Sequence, residues 1–246
     1  MSLEPLSIAD SCIAEQIDDD LIIYPFLPPE AAQGWKVELF ELSRSIPSHY
    51  HKIQRQILLV AEGKLSVSIG SEEVVTLGSG ELIMVDPGNR HSLQPKGVAR
   101  FFDISFPGIP FPEDVFEDTP KERYEWVNSR DKVFDELDSK YFGARLDLEG
   151  YSAYELGSSE QKWSLALLEI QDSPKHFHQI EREVFIVAEG LLDIKIDNKP
   201  KLLGVGESIA VFPHQIHQPK SASDTPARVL CFNFPAFDPK DMHIIL

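Results

Sequence analysis

The sequence predicts an all-β protein with two tandem antiparallel domains, each a β-sandwich or β-barrel, joined by a short helical connector. Short apolar runs alternate with polar residues and end at glycine or proline, as half-buried strands do. The pattern of the first half returns in the second half at a nearly constant offset. Between the two halves, the capping residues and apolar spacing are instead those of a helix.

The first half contains a succession of runs that predict strands, and each is closed by turn-forming residues such as Gly70-Ser71. Many short strands at this spacing are typical of an antiparallel sandwich or barrel. The predicted strands cover residues 21–26, 35–42, 57–61, 65–69, 74–77, 82–85 and 99–106.

The second half repeats the first. His176 follows His49 at an offset of 127, Gly206 follows Gly80 at 126, and the run 163–170 follows its counterpart at 128. Offsets that drift by only one or two positions indicate a tandem duplication with single-residue changes in loops.

The segment between the repeats has a different pattern. Residues 119–122 read Thr-Pro-Lys-Glu, with an N-cap threonine, a proline at the first helical position and a glutamate at the third. Phe134, Leu137 and Tyr141 then fall on one face of a helix. The predicted organisation is an N-terminal arm at 1–20, a first domain at 21–118, a helical connector at 119–144 and a second domain at 145–246.

Composition narrows the possible partners and the compartment. With 23 basic and 40 acidic residues the formal charge is −17, which argues against binding to nucleic acid or to an anionic membrane. No leader-like start or apolar run of ~20 residues is present, so we expect a cytoplasmic protein. Cys12 and Cys231 lie far apart, and the apolar neighbours of Cys231 predict a buried free thiol. The expected partners are a small molecule and, as an open possibility, a second copy of the chain.

The histidines point to metal binding. Side chains at i and i+2 share one face of a strand, so His176 and His178 are expected to point to the same place as Glu183 on the next strand and His217. Imidazoles and a carboxylate suit iron, manganese, nickel, cobalt or zinc. Four protein ligands leave two positions open on an octahedral ion, as a catalytic site requires. Six of the eight histidines occupy repeated positions: His49, His51, His91, His176, His178 and His217.

The first repeat offers a weaker version of the same set, consisting of His49, His51, Gln56 and His91. Gln56 supplies a neutral amide oxygen where the second repeat has a carboxylate. With one negative charge fewer, this site is expected to bind a dication less tightly, whether it works or has decayed.

These residues resemble the motifs of the cupin superfamily, specifically of the two-domain bicupins. The first cupin motif, G-x5-H-x-H-x3,4-E-x6-G, matches from His176 through Gly190, although Ile170 replaces the leading glycine. Gly206 and His217 keep the glycine-to-histidine spacing of the second motif, whose proline and terminal asparagine are missing. The resemblance implies two jelly-roll barrels, each with a metal inside held by the residues named above.

The resemblance leaves the reaction open, because cupin barrels support many chemistries. The first hypothesis is a metal-dependent dioxygenase, in which Glu183 is both a metal ligand and the catalytic proton acceptor. The second is a sugar or sugar-acid isomerase or lyase with the metal as a Lewis acid. The third is a small-molecule-binding cupin without catalysis.

Overall fold

The computed structural model describes residues 15–27, 35–70, 73–109, 113–117, 145–159 and 162–245. These residues form β-strands almost throughout, within two compact units, so the predicted β class is confirmed. The predicted helical connector at 119–144 lies outside the described residues, as does most of the predicted N-terminal arm. In the described part of the chain no helix is long and apolar enough to cross a membrane.

The N-terminal unit contains two antiparallel sheets. One has the strand order β1-β2-β3-β10-β5-β8 and the other has the order β4-β9-β6-β7. The strands are β1 (Glu15–Asp18), β2 (Leu21–Leu27), β3 (Lys36–Leu42), β4 (Ile46–His49), β5 (Arg55–Glu62), β6 (Leu65–Ile69), β7 (Glu73–Leu77), β8 (Leu82–Val85), β9 (His91–Pro95) and β10 (Ala99–Phe106).

The C-terminal unit repeats this topology. Its sheets have the orders β11-β12-β13-β20-β15-β18 and β17-β16-β19-β14-β21. The strands are β11 (Arg145–Leu148), β12 (Tyr151–Ser159), β13 (Trp163–Ile170), β14 (His176–His178), β15 (Arg182–Glu189), β16 (Leu192–Ile196), β17 (Lys199–Leu203), β18 (Ser208–Val211), β19 (His217–Ser221), β20 (Ala227–Phe234) and β21 (Met242–Ile244). A one-turn 3-10 helix, Pro239–Asp241, precedes β21.

Each unit buries its core between its own two sheets. In the N-terminal unit, Leu58 and Phe101 from the six-stranded sheet pack with Val67 and Leu93 from the four-stranded sheet, and all four are almost fully buried. Alternation along a strand sends every second side chain to the core, which is why the apolar positions recur with period two. The polar residues that share these inward faces are therefore enclosed by the two sheets.

A carboxylate holds the turn that follows each H-x-H sequence. Asp241 accepts hydrogen bonds from three successive backbone N–H groups, at residues 179–181, over 3.1, 3.0 and 3.0 Å. Asp114 does the same for residues 52–54, at 3.1 Å for each bond. Both aspartates follow the last strand of their six-stranded sheet. Each therefore fixes the path between the histidine strand and the strand that carries Glu183 or Gln56.

Asp241→Ala should leave these three N–H groups without their acceptor. We expect a loss of about 3 kcal/mol in the free energy of unfolding, because hydrogen bonds to a charged acceptor contribute ~1.5–3 kcal/mol and are not additive. Urea titration measures the loss, with the exposed Asp224→Ala as the control. A loss below about 0.5 kcal/mol, the usual range of an ordinary surface substitution, would mean that the turn holds its shape without Asp241.

Two glycines end β5 and β15 in the left-handed region, with φ of +79° at Gly63 and +82° at Gly190. A side chain pays a steric cost there that glycine avoids. The two positions differ in the room that they leave for a Cβ atom. A Cβ on Gly63 would lie 2.5 Å from the backbone oxygen of Val98, whereas on Gly190 its nearest neighbour would be the Ala227 Cα at 3.4 Å.

Alanine substitution should therefore cost more in the first repeat than in the second. We expect Gly190→Ala to lower the free energy of unfolding by about 1 kcal/mol, which is the cost of placing alanine in the left-handed backbone conformation. Gly63→Ala must also move backbone and should cost about 3 kcal/mol. Urea midpoints of the two variants against the unsubstituted protein measure the difference, and equal losses would contradict the explanation.

Candidate metal centre

The structure brings the four predicted ligands of the second repeat together between the two sheets of the C-terminal unit. His176 and His178 lie on β14, His217 is paired with His176 from β19, and Glu183 faces them from β15. One ligand atom from each of the four lies within 4.8 Å of the others. All four side chains are buried, with exposed fractions of 1–6%.

Backbone carbonyls orient the imidazoles. His176 Nδ1 lies 2.7 Å from the Pro174 oxygen, and His217 Nδ1 lies 3.1 Å from the Gln215 oxygen. A carbonyl oxygen only accepts, so Nδ1 carries the proton and the Nε2 lone pair is left facing the centre. Burial lowers the pKa of His176 to about 4, which keeps its imidazole neutral at pH 7. This is the protonation state that metal binding requires.

Glu183 closes the set. Its Oε2 lies 2.7 Å from His217 Nε2 and 3.4 Å from His178 Nε2. Burial raises the pKa of Glu183, but the two neighbouring imidazoles outweigh that effect and hold the pKa well below its ordinary value. These three buried atoms make no well-directed hydrogen bond within the protein. Buried polar groups of this kind are rarely left without partners, and a shared cation would satisfy all three at once.

Two residues, Asn233 and Cys231, support Glu183 from behind, a role that the sequence analysis did not assign to either. The Asn233 amide donates to Glu183 Oε1 at 3.4 Å and to Glu181 Oε2 at 3.0 Å. The Cys231 thiol, a free and buried cysteine as predicted, lies 3.7 Å from Glu183 Oε1. Oε1 is thus held by the six-stranded sheet, and Oε2 is left to face the histidines. The strand register that places Asn233 opposite Glu183 carries no local sequence signal.

Glu181 is the second buried carboxyl group of this centre. Burial raises its pKa to about 7, and it lies 3.7 Å from His178 Nδ1. His178, Glu181 and Asp241 bring ligand-type atoms within 4.8 Å of one another. The carboxylate of Asp241 already accepts three backbone N–H bonds, and Glu181 accepts from Asn233 and from the Asp238 N–H. These two carboxyl groups therefore position His178 and its turn.

The first repeat builds a matching centre. His49, His51 and His91 bring ring nitrogens within 4.8 Å of one another, and all three are buried. Their Nδ1 atoms lie 2.8, 2.8 and 3.1 Å from backbone oxygens of Pro47, Asp114 and Asn89.

The amide of Gln56 completes this first centre. Its Nε2 donates to Asp103 Oδ2 at 3.0 Å. Its Oε1, together with the Nε2 atoms of His51 and His91, is buried without a hydrogen-bond partner. Gln56 thus lines the same small cavity as His49 and His51, and three of the four predicted ligand residues have a buried atom without a hydrogen-bond partner.

A buried lysine distinguishes this centre from its counterpart. Lys36, 2% exposed, lines the same small cavity as His49 and His51, and its Nζ lies 2.9 Å from Glu38 and 3.9 Å from Asp103. Burial lowers the pKa of Lys36, but the two carboxylates outweigh burial and raise it, so the group stays an ammonium.

The two centres differ most in the space beside them. His49, His51 and Gln56 line a cavity of only about 20 Å³, which is close to the volume that one water needs. In the C-terminal unit His176, His178 and Glu183 line a cavity of about 350 Å³. Only the second volume falls in the range of small-molecule sites.

Comparisons with known proteins support the family. A cupin domain model matches twice, at residues 37–105 and 167–233. No curated protein matches the chain. Similar solved structures include oxalate decarboxylase from Bacillus subtilis at pH 4.6, which is 13% identical, with a TM-score of 0.41 and coverage of 97% of this chain and 78% of that one.

A second such structure is the formate complex of Lactobacillus farciminis oxalate decarboxylase. It is 13% identical with a TM-score of 0.40, and the match covers 97% of this chain and 88% of that one. Likeness at this level does not transfer a reaction. The two domain matches together span more than half of the sequence, and the chain therefore belongs to the cupin family, with two cupin domains.

Proposed function

We propose that the C-terminal cupin domain binds a divalent transition metal through His176, His178, Glu183 and His217 and is a dioxygenase-type oxidoreductase for a small organic molecule. One observation carries the proposal. Three of the four convergent ligand residues, His176, His178 and Glu183, line a cavity of about 350 Å³, so a substrate has room beside the metal. A closed structural metal site needs no such space.

The residues fit such an ion. The buried Nε2 and Oε2 atoms lack other partners, and nitrogen and carboxylate donors suit iron, manganese, nickel, cobalt or zinc. When bound, the metal would supply Lewis acidity and, if it is redox-active, exchange of electrons.

The protein's own groups then have separate tasks. The carbonyls of Pro174 and Gln215 orient two of the imidazoles, and Asn233 and Cys231 hold Oε1 of Glu183. Glu183 is the group that we expect to accept a proton from the substrate, because it is buried against the cavity that the substrate enters.

For the first repeat we propose a weaker metal site at His49, His51, Gln56 and His91. Gln56 adds no charge, and Asp103 of the same small cavity already accepts from the Gln56 amide and lies 3.9 Å from the Lys36 ammonium, so a dication gains less attraction here than from Glu183. The cavities of about 20 and 140 Å³ that His49 lines are both smaller than the ~300–1,000 Å³ of small-molecule sites.

Matched histidine variants test this asymmetry. With one equivalent of Mn²⁺, the unsubstituted protein should retain about one ion per chain, bound in the C-terminal domain. His217→Ala should retain less than a tenth of it after desalting, because one of four ligands is gone, whereas His91→Ala should retain nearly all. Metal analysis after desalting measures both, and circular dichroism checks folding. Loss of the ion from His91→Ala alone would contradict the assignment.

Oxygen consumption tests the reaction class. The iron, manganese or nickel form should take up dioxygen with turnover of a catechol or enol, and the zinc form should not. Glu183→Gln should lower kcat at least ~100-fold, the usual contribution of a positioned proton acceptor. An oxygen electrode and product analysis under air and under argon give the answer. Turnover that persists with zinc under argon would mean an isomerase or lyase, and binding without turnover a non-catalytic cupin.

A further inference from the structure

We propose that the cavity of the C-terminal domain selects a neutral substrate that has a metal-binding oxygen pair at one end and an apolar body, and that it rejects molecules with a further carboxylate. This inference rests on the proposed function of the same centre and names its substrate class. Three properties of the cavity carry it: apolar walls, an apolar rim and the absence of a cation among the described residues that line it.

The walls away from the metal ligands are apolar. Beyond His176, His178 and Glu183, the cavity is enclosed mainly by aliphatic and aromatic side chains. They come from β11, β13 and the segment after β20, and include Leu146, Leu148, Leu165, Leu168, Phe237 and Met242. Burying a hydrocarbon body against such walls contributes about 25 cal/mol for each Å² removed from water. Polar side chains such as Tyr151, Ser158 and Ser173 also line the cavity but are a minority, so a sugar ring would find partners for only some of its hydroxyl groups.

The rim of the cavity is apolar as well. Leu146 and Leu148 share one face of β11 and remain 55% and 39% exposed although both line the cavity. Large aliphatic side chains are rarely left exposed side by side unless something apolar covers them in use. A substrate body that reaches from the metal ligands to this strand would cover both leucines.

The charges around the cavity disfavour an acid. Among the described residues that line it, none is lysine or arginine, while Glu155 and Glu183 are carboxylates. Glu183 already neutralises half of the charge of a dication. Once one anionic group of the ligand neutralises the other half, a further carboxylate would lie in a buried space whose described lining has no lysine or arginine to pair it. A neutral chelating group that loses one proton on binding does not meet this cost.

The first repeat shows how this fold supplies a buried cation when it uses one. Lys36 is the second residue of the run 35–42 in the first repeat. Ser164 is the corresponding residue of the run 163–170 in the second repeat, at the offset of 128. Both residues line the cavity of their own domain. Ser164 instead accepts a hydrogen bond from the Phe237 N–H at 2.9 Å. The second domain thus has a hydroxyl group at the position where the first domain has an ammonium group.

Three catechols with one chelating head test the proposal: catechol, 4-tert-butylcatechol with an added apolar body, and 3,4-dihydroxybenzoate with an added carboxylate. Zinc-loaded protein is titrated by calorimetry under argon, which separates binding from turnover. The butyl compound should bind at least 10-fold more tightly than catechol, with a more negative heat-capacity change. Dihydroxybenzoate should bind at least 10-fold more weakly than catechol, and oxalate should show no binding.

Ser164→Lys should bind dihydroxybenzoate at least 10-fold more tightly than the unsubstituted protein does, which would reverse the order of affinities. Ser164→Ala is its matched control. Glu155→Lys, at an exposed position of the rim, is a second variant that spares the buried strand and should shift the order in the same direction. Equal or tighter binding of dihydroxybenzoate by the unsubstituted protein would overturn the proposal.

If the proposed function is wrong but the substrate class is right, the same experiment gives a different result. If the desalted protein retains no zinc, the metal centre is wrong, but the preference can still be measured on the metal-free protein. The walls and the missing cation do not depend on the ion, so the same order should persist there with lower affinity. A lost or inverted order in the metal-free protein would overturn the substrate class as well.

Discussion

Both centres depend on one type of hydrogen bond, which an imidazole Nδ1 donates to a backbone carbonyl. It recurs at five of the six histidines, over 2.7–3.1 Å, and only His178 lacks it. Because the carbonyl can only accept, each bond fixes the tautomer and the ring plane together and leaves Nε2 directed into the barrel. Convergence of the Nε2 atoms is thus set by backbone carbonyls, most of them in the turns beside the histidine strands, before any ion is present.

The same frame has diverged in charge and in space between the two repeats. Glu183 is matched by Gln56, and Ser164 by Lys36, so the first centre has a neutral amide in place of the carboxylate and a buried ammonium beside Glu38 and Asp103. Its cavity is nearly filled, whereas the second domain keeps a space of about 350 Å³ with apolar walls. The N-terminal domain thus retains the arrangement of histidines without a large cavity. The C-terminal domain has both the histidines and a cavity large enough for a substrate. We infer that the duplication left one working centre.

Local periodicity and spacing were enough to predict the repeat and most of the strands, because both depend on short-range pattern, but β1, β4 and β9 were not predicted as strands. The same spacing gave both ligand sets, which stay predictions. β8 and β10 coincide with predicted runs, and the ligand atoms of the second set converge as alternation required. Asn233 and Lys36 could not be found this way, since their roles depend on strand register and on burial of a position that reads as polar. Asp114 and Asp241 did carry a signal, because they are separated by 127, the offset of the repeat itself.

The most direct test of a single working centre is to locate the ion in crystals grown with one equivalent of Mn²⁺ per chain. An anomalous difference map collected near the manganese edge reports each site separately, without any substitution in the protein. We expect one strong peak among His176, His178, Glu183 and His217, and a weak peak or none among His49, His51 and His91. A strong peak in the first domain, with the second domain empty, would contradict the placement of the working centre in the second repeat.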